Sequence, residues 1–329
     1  MEKLVSVIMP CFNAERWIKE AIDSCINQTY SNVEIVVIDD GSTDNSLEVI
    51  KSYGDRVRWE SVPNGGSNSA RNKGFSISKG EYILFLDADD YILPERIEKQ
   101  VGWLEKTGSD VVFSSVKSQK HLPNGTLAFG ESSDERFYLP GDDVIFSLLT
   151  GRRLAHTLSP IFTRDAVTNS GGWDVNVTCS QDRDFTLSVA LAGAKFSFLP
   201  GCYSVYRQYA SERRVSSARK QDRIRSELLR TEKAERKLKQ KKQSTEYGSA
   251  IAEAYFRTLL HYADYSSRSN YLKVLSRIRQ ADPDYKPDFS LLSINSPLYK
   301  ALNRAFGFWG ASVIYKVAKD SAGFLSKFK

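Results

Sequence analysis

The stretch Gly80-Glu-Tyr-Ile-Leu-Phe-Leu-Asp-Ala-Asp-Asp90 constrains this chain more than any other. Tyr82 to Leu86 is an unbroken apolar and aromatic run, short enough to be a strand buried on both faces. Three carboxylates follow at once: Asp87, Asp89 and Asp90. Negative charge packed at the mouth of a buried strand is costly unless a cation or a hydrogen-bond network neutralises it. Hard oxygen ligands at a strand end suit Mg²⁺ or Mn²⁺, which commonly share their remaining positions with substrate phosphates. By itself the stretch admits a second reading, in which one Asp caps the next turn and the others are solvated.

The preceding residues supply a frame. Leu4–Met9 reads as a β-branched strand ending at Pro10, with Pro10-Cys-Phe-Asn13 as a turn. Ile18, Ile22 and Ile26 then mark one face of a helix. Val33–Ile38 is a second buried strand that again runs into acids, Asp39 and Asp40. Gly41–Ser46 supplies a sharp turn and capping chemistry for a helix reaching about Tyr53. Val57–Val62 reads as a third strand, and Pro63-Asn-Gly-Gly66 breaks the chain before a helix over Ser69–Ser78 carrying Arg71, Asn72 and Lys73. Strands and helices alternating through short loops predict right-handed βαβ units on a parallel sheet. Ligands bind outside the carboxyl ends of such strands, which gathers Pro10, Asp40, Arg71 and Asp87–Asp90 around one crevice.

Beyond the crevice, Glu95–Lys106 reads as an amphipathic helix and Asp110–Val116 as a strand. His121–Phe129 looks like a hairpin with its tip at Asn124-Gly125. A helix is expected over Asp142–Leu149 and an extended segment over Leu154–Thr163. Gly171-Gly-Trp-Asp174 marks a tight turn before a helix opened by Cys179–Phe185. Phe196–Leu199 and Tyr203–Arg207 read as two short strands. Past Ser216 the pattern becomes helical: Lys220–Lys242, Ile251–Tyr262, Tyr271–Ile278 and Pro297–Ala318.

The net charge of +6 conceals an asymmetry. Residues 1–210 carry 21 Lys and Arg against 28 Asp and Glu, whereas residues 211–329 carry 25 against 12. A basic tail on an acidic body suits contact with an anionic partner such as a membrane surface or nucleic acid, or is a solvated helical face. Cys11, Cys25, Cys179 and Cys202 show no metal-binding spacing and read as reduced structural thiols of an intracellular protein. A strand beginning at Leu4 leaves no room for a signal peptide, and no apolar run reaches the length of a membrane span. The expected location is cytoplasmic or peripheral at the inner face of the cell membrane.

Five motifs, Val5–Asn13, Val36-Val-Ile-Asp-Asp-Gly-Ser-Thr-Asp44, Asn64-Gly-Gly with Ala70-Arg-Asn-Lys-Gly74, Gly80–Asp90 and Gly171–Asp174, occur in an order and spacing that closely resemble the family 2 glycosyltransferases. The resemblance covers about residues 4–210. It implies a GT-A fold: a Rossmann-like mixed, mostly parallel sheet flanked by helices, here with a C-terminal helical extension. It divides the chain into a catalytic domain over 1–215 and a basic extension over 216–329. The catalytic domain would have a nucleotide-sugar half at about 1–115 and an acceptor half at about 116–215. The activity implied is inverting, metal-dependent transfer from a nucleotide-diphosphate sugar, UDP by default, to a hydroxyl of a glycan or lipid-linked acceptor.

The resemblance also assigns roles. Pro10, Phe12, Asn13 and Asp40 match positions around the nucleobase. Arg71 lies near the nucleotide, Asp87 towards the ribose, and Asp89 at the Mn²⁺ or Mg²⁺ ligand. Asp182 matches the general base. His156, Trp173, Gln181 and Arg207 are candidates for the acceptor or the diphosphate. Two departures stand out: Gln181 replaces an acidic neighbour of the base, and Tyr209 stands where many relatives have a histidine that approaches the metal. The Gln-x-x-Arg-Trp signature of processive synthases is absent, which favours a single transfer.

On residue chemistry alone several of these positions have a second role open. Asp182 could cap its helix, Phe12 could be core, and Arg71 could pair with a surface acid such as Asp40. His156 could be a satisfied structural histidine, and Trp173 could be packing or a platform for an acceptor sugar. Rival functions are disfavoured by specific gaps. A nucleotidyltransferase would carry a Gly-rich basic loop where Pro10-Cys-Phe-Asn13 stands, and a dehydrogenase would need Gly-x-Gly-x-x-Gly there. Nothing in residues 1–210 points to nucleic acid. The remaining alternative is a catalytically inactive relative acting as a scaffold through its tail, against which Asp87, Asp89 and Asp182 are all retained.

Overall fold

The buried runs read from the sequence form the first half of a nine-stranded sheet. A computed structural model describes residues 2–121, 126–130, 143–151, 156–209, 220–262, 268–286 and 310–313. Strands β1 (Val5–Cys11), β2 (Val33–Asp39), β3 (Arg58–Ser61) and β4 (Tyr82–Phe85) lie parallel in the order β3-β2-β1-β4. Helices α1 (Ile18–Ile26), α2 (Ser46–Lys51) and α3 (Ser67–Ile77) connect them. Alternate strand residues face opposite layers, as the twofold pleat requires. Val5, Val7, Met9, Ile35 and Val37 join a core with Ile18 and Ile22 of α1, while Val36 and Ile38 pack with Ala70 of α3.

β1 does not stop at Pro10. It runs to Cys11, with Pro10 in register with Ile38. Its pairing with β4 ends at Ile8, so the missing amide of Pro10 has no ladder bond to supply on that side.

The second half of the sheet is mixed. After β5 (Tyr91–Ile92) and α4 (Arg96–Thr107) come β6 (Val111–His121) and β7 (Leu127–Phe129), then α5 (Val144–Thr150), β8 (Ile161–Thr163), α6 (Arg164–Ser170), α7 (Gln181–Leu191) and β9 (Phe196–Gln208). β8 pairs antiparallel with β4 and β6, β9 runs parallel to β6, and β5 closes the far edge against β9. The tip expected at Asn124-Gly125 lies outside the described residues, but β6 and β7 do pair antiparallel on either side of it. The two short strands expected at 196–199 and 203–207 are one strand. Pro200-Gly201 does not end it, because Gly201 adopts φ +115° and the β6 ladder absorbs the extra residues as register shifts between Phe113 and Val116.

Contacts divide the chain into one unit of residues 1–145 with 153–217 and another of 146–152 with 218–329. The second unit contains α8 (Lys220–Gln240), α9 (Gly248–Tyr262) and α10 (Arg268–Ala281), with α9 packed against both others. Not all of its charge is solvated. Glu235 is buried and accepts from the Tyr255 hydroxyl at 2.6 Å, Lys239 at 2.6 Å and Arg277 at 2.9 Å. Most of the helix expected at 297–318 lies outside the described residues, and 310–313 are helical. Among the described residues, no helix is long and apolar enough to cross a membrane.

The strand ends opposite the crevice are fixed by a polar knot. Gly80 N donates to Ser6 Oγ at 2.7 Å and to Glu34 Oε1 at 3.0 Å, Ser6 Oγ donates to the same carboxylate, and Arg164 Nε donates to Gly80 O at 2.6 Å. A Cβ on Gly80 would meet the Ser6 backbone nitrogen at 2.5 Å and the Leu4 carbonyl oxygen at 2.9 Å, neither of which can rotate away. Gly80→Ala is therefore expected to destabilise the protein by about 1–3 kcal/mol, the range for overpacking. Urea unfolding of the variant with an unchanged slope would measure it, and an unaltered midpoint would refute the close approach.

Candidate active site

Charge at the end of β4 is arranged by three neighbouring elements. Asp87 is half-buried and accepts from Arg71 NH2 at 2.6 Å. Arg71 stands on α3, is only 4% exposed, and also donates through NH1 to Asn68 Oδ1 at 3.1 Å and Gln181 Oε1 at 3.2 Å. Ser67 Oγ donates to the same Gln181 oxygen at 2.9 Å. Arg71 thus pairs with half-buried Asp87 rather than with Asp40, which is itself buried and engaged elsewhere. The reason is the position of α3, which presents Arg71 to β4 and its Gly65-Gly66 entry to β2.

Asp40 performs a different task. Its two carboxylate oxygens accept from Gly65 N at 2.8 Å and Gly66 N at 2.9 Å, fixing the start of α3 to the end of β2. Neighbouring Asp39 is buried and accepts from Ser42 N and Ser61 Oγ, so it is structural. Asn13 adopts φ +50° and braces the loop after β1 against the loop after β2, accepting from Thr43 N at 2.7 Å. Between these braces Phe12 is 46% exposed, which removes it from the core.

The Gly171-Gly-Trp-Asp turn holds α3 from the other side. Asn72 Nδ2 donates to Trp173 O at 2.8 Å and Asn72 Oδ1 accepts from Trp173 N at 2.9 Å. Gly172 has φ +78°, and a Cβ there would meet Asn72 Oδ1 at 2.8 Å, so the lock requires glycine. Trp173 is buried, with its ring stacked on Phe185 at 4.1 Å and the Arg71 guanidinium 4.4 Å from its centroid. Both faces being covered, it packs and does not offer a platform to an acceptor sugar.

This turn delivers α7. Ser180, at φ +50°, is its N-cap, so Asp182 is not the cap. Asp182 lies in the first turn, half-buried, with Oδ1 accepting from Arg183 N at 2.9 Å. Gln181, one residue earlier, is drawn to Arg71 and so brings the first turn of α7 to the end of β4. The Gln181 amide holds the helix where a second carboxylate would face Asp87.

Asp89 and Asp90 are held by β9. Tyr209 Oη donates to Asp89 Oδ2 at 2.9 Å, and Arg207 NH1 donates to Asp89 O at 2.9 Å. Arg207 N donates to Asp90 Oδ1 at 2.8 Å. The Arg207 side chain is 1% exposed, is ion-paired with Glu20, and lies over the rings of Trp17 and Tyr91. It is a strut for the acidic loop rather than a group closing over a diphosphate. Asp90 is fully buried, and its Oδ2 has no hydrogen-bond partner among the described residues. Burial first, then the Asp89 and Asp87 carboxylates, pushes its carboxyl well above the usual range. Reading the sequence left Asp90 without a role, although its place beside Asp89 was the available signal.

His156 precedes β8 and is half-buried. Leu158 N donates to its Nδ1 at 3.2 Å, and its ring stands edge-on to Tyr206 with centroids 4.6 Å apart. Burial lowers its pKa below 6.5, while Asp182, Asp87 and Asp89 act in the opposite direction, which places it in the field of all three carboxylates. The site therefore brings together Arg71, Asp87, Gln181, Asp182 and His156, beside Asp89 with Tyr209 and Arg207. Pro10, Phe12, Asn13 and Asp40 lie at the adjacent ends of β1 and β2. Among the described residues no cluster of three or more His, Cys, Asp or Glu side chains could hold a metal ion unaided.

The chain is similar to known proteins in sequence and in fold. Residues 6–127 match the family described as Glycosyl transferase family 2. An uncharacterized glycosyltransferase of Haemophilus influenzae is 46% identical over 105 residues, covering 31% of this chain and 42% of that protein. The uncharacterized glycosyltransferase EpsJ of Bacillus subtilis is 36% identical over 143 residues, covering 43% of this chain and 38% of that one. The matched region spans less than half the length of either relative. A crystal structure of S. aureus TarS 1–349 in complex with UDP-GlcNAc superposes with a TM-score of 0.66 at 20% identity, covering 97% of this chain and 91% of that one, a likeness of fold. Residues 6–127 thus resemble a family 2 glycosyltransferase domain, and the mixed, mostly parallel sheet flanked by helices shares the fold of TarS.

Proposed function

We propose that the protein is an inverting glycosyltransferase that moves a sugar from a nucleotide-diphosphate donor, a UDP-sugar, to a hydroxyl of a glycan or lipid-linked acceptor. The observation carrying this reading is the junction of Arg71, Asp87 and Gln181, which sets Asp182 beside the acidic end of β4. In this reading the nucleotide-sugar half is about 1–115, the acceptor half about 116–215, and residues 216–329 form an extension.

The nucleobase would lie across exposed Phe12, beside Pro10 and Asn13. Asp40, whose oxygens retain further acceptor capacity beyond the Gly65 and Gly66 amides, would take the base N–H. Asp87, oriented by Arg71, would face the ribose. Attack on the anomeric carbon from the face opposite the leaving diphosphate inverts its configuration, and Asp182 takes the proton of the attacking hydroxyl.

The chain fits a divalent cation carried with the diphosphate better than one held in a protein cage. A single carboxylate, Asp89, with the negative field of Asp87 and the orphaned buried oxygen of Asp90, matches the way Mg²⁺ is commonly bound, by one or two carboxylates plus substrate phosphates. When bound, Mn²⁺ or Mg²⁺ would supply Lewis-acid stabilisation of charge on the leaving diphosphate. Tyr209 holds Asp89 for that contact through its hydroxyl.

A ligand that binds only the native state raises its stability, by about 2.7 kcal/mol at one hundred times its Kd. UDP with Mn²⁺ is expected to raise the thermal midpoint, GDP, dTDP and CDP to raise it less, and Asp89→Ala to abolish the metal-dependent part. No shift with any nucleotide would overturn the reading. Asp182→Asn is expected to lower turnover of the sugar nucleotide by about 10²–10⁴-fold with UDP affinity retained. Turnover equal to wild type would remove Asp182 from the mechanism. If the basic extension meets a membrane, the intact protein will sediment with phosphatidylglycerol vesicles at low salt and dissociate as salt screens the charge. Equal sedimentation with neutral vesicles would exclude that contact.

A further inference from the structure

One side chain near these carboxylates, His156, has no part in the proposed transfer. His156 lies in the field of Asp182, the proposed base, and of Asp87 and Asp89, the proposed ribose and metal contacts. Whatever occupies the space between a diphosphate at Asp89 and an acceptor hydroxyl at Asp182 is the sugar in transit.

Two contacts fix how the imidazole is presented. The Leu158 amide donates to Nδ1, so in the neutral ring Nδ1 is the acceptor and the proton resides on Nε2. Tyr206 stands edge-on to the ring and limits its rotation. Below, the same segment is clamped by buried Arg96, whose NH2 donates to Ser159 O at 3.3 Å and Pro160 O at 3.4 Å, and by Gln100 Nε2, which donates to Ser159 O at 2.8 Å. Ser159 N in turn donates to His156 O at 2.9 Å. No described residue accepts from the Nε2–H. The ring is therefore held against Tyr206, the neighbour of the Arg207 that bonds the Asp89 carbonyl and the Asp90 carboxylate, with its Nε2–H left for a ligand.

We propose that His156, through its Nε2–H, hydrogen-bonds an oxygen of the sugar being transferred and so sets which UDP-sugar is used. The inference rests on the proposed glycosyltransferase reading. It assigns His156 to the sugar rather than to the acceptor or the diphosphate. The ligand chemistry that fits is a hydroxyl or an amide carbonyl on the pyranose, each able to accept from a neutral N–H. Burial supports this by keeping the ring neutral, since an imidazolium would ion-pair with Asp182 instead.

The test uses the full chain and a panel of UDP-glucose, UDP-galactose, UDP-GlcNAc and UDP-GalNAc, reading UDP release for each and UDP binding separately. In His156→Phe, which keeps an aromatic ring but removes the donor, kcat/KM for the preferred sugar is expected to fall about tenfold, the effect of one lost neutral hydrogen bond. The preference among the four should narrow, with UDP affinity within about twofold of wild type. His156→Gln, which retains an N–H, should recover part of the preference. It also keeps the proposal testable if the Phe variant does not fold.

An unchanged sugar preference in both variants overturns the proposal. So does an effect confined to the KM of an added acceptor, which would assign His156 to that ligand. Parallel loss of UDP binding would make the role structural and overturn it as well. If wild type neither binds UDP nor releases it from any of the four sugars, the glycosyltransferase reading itself fails. If wild type does both and the His156 variants match it, only this inference falls.

Discussion

The crevice depends on one buried cation. Three carboxylates crowd the end of β4, and Arg71, 4% exposed, sets its positive charge against Asp87 at 2.6 Å. Removing one partner of such a pair strands the other, a cost of about 3–5 kcal/mol when the pair is fully buried and less here, where Asp87 remains partly open to water. The same guanidinium reaches Gln181, so neutralising β4 and docking α7 are one event. Its flat face on Trp173 adds a third contact, and the Asn72 lock holds that tryptophan in place. Arg71 therefore ties the end of β4 to Trp173 and the first turn of α7, with Asn72 locking the turn and Ser67 sharing Gln181.

Asp89 and Asp90 are governed from the other flank. β9 supplies the Arg207 amide to Asp90 and the Arg207 guanidinium to the Asp89 carbonyl, and Tyr209, just past its end, supplies its hydroxyl to the Asp89 carboxylate. These contacts fix the backbone of the acidic loop independently of Arg71. An Asp87 tethered from α3 and an Asp89 tethered from β9 cannot drift together as charges repel or a cation arrives. Two separate tethers on residues two apart make a rigid loop, which suits the proposed role of receiving a diphosphate with its metal.

The parallel half of the sheet was legible because its signals are local. Each buried run is short, bounded by a turn and followed by a helix with a clear apolar face, and β1, β2, β3 and β4 all emerged where the pattern put them. The second half was legible only in pieces. β5 has two residues and β8 three, too short for periodicity to register, and α6 follows β8 with no break at all. β9 was divided at Pro200-Gly201 because nothing local reveals that a neighbouring strand will absorb the bulge. The site shows the same division. Residue types and spacing singled out Asp87, Asp89, Arg71 and Asp182, but which acid Arg71 faces, and that Trp173 and Arg207 are interior struts, depends on elements that meet only in three dimensions.

The environment of His156 bears on why a neutral donor is suited to the middle of this site. A lysine or arginine in the field of Asp182, Asp87 and Asp89 would pair with one of them and occupy the oxygen that the proposed base or metal ligand needs. An acid would add a fourth negative charge beside a carboxyl already pushed upward by its neighbours. A half-buried imidazole avoids both outcomes, because its lowered pKa favours the uncharged ring while one N–H remains available. The backbone amide of Leu158 then decides which nitrogen carries that proton, and the Arg96 and Gln100 clamps on Ser159 decide where it sits. Selection among sugars that differ at one hydroxyl needs a donor fixed in both respects, since a mobile one would satisfy either epimer.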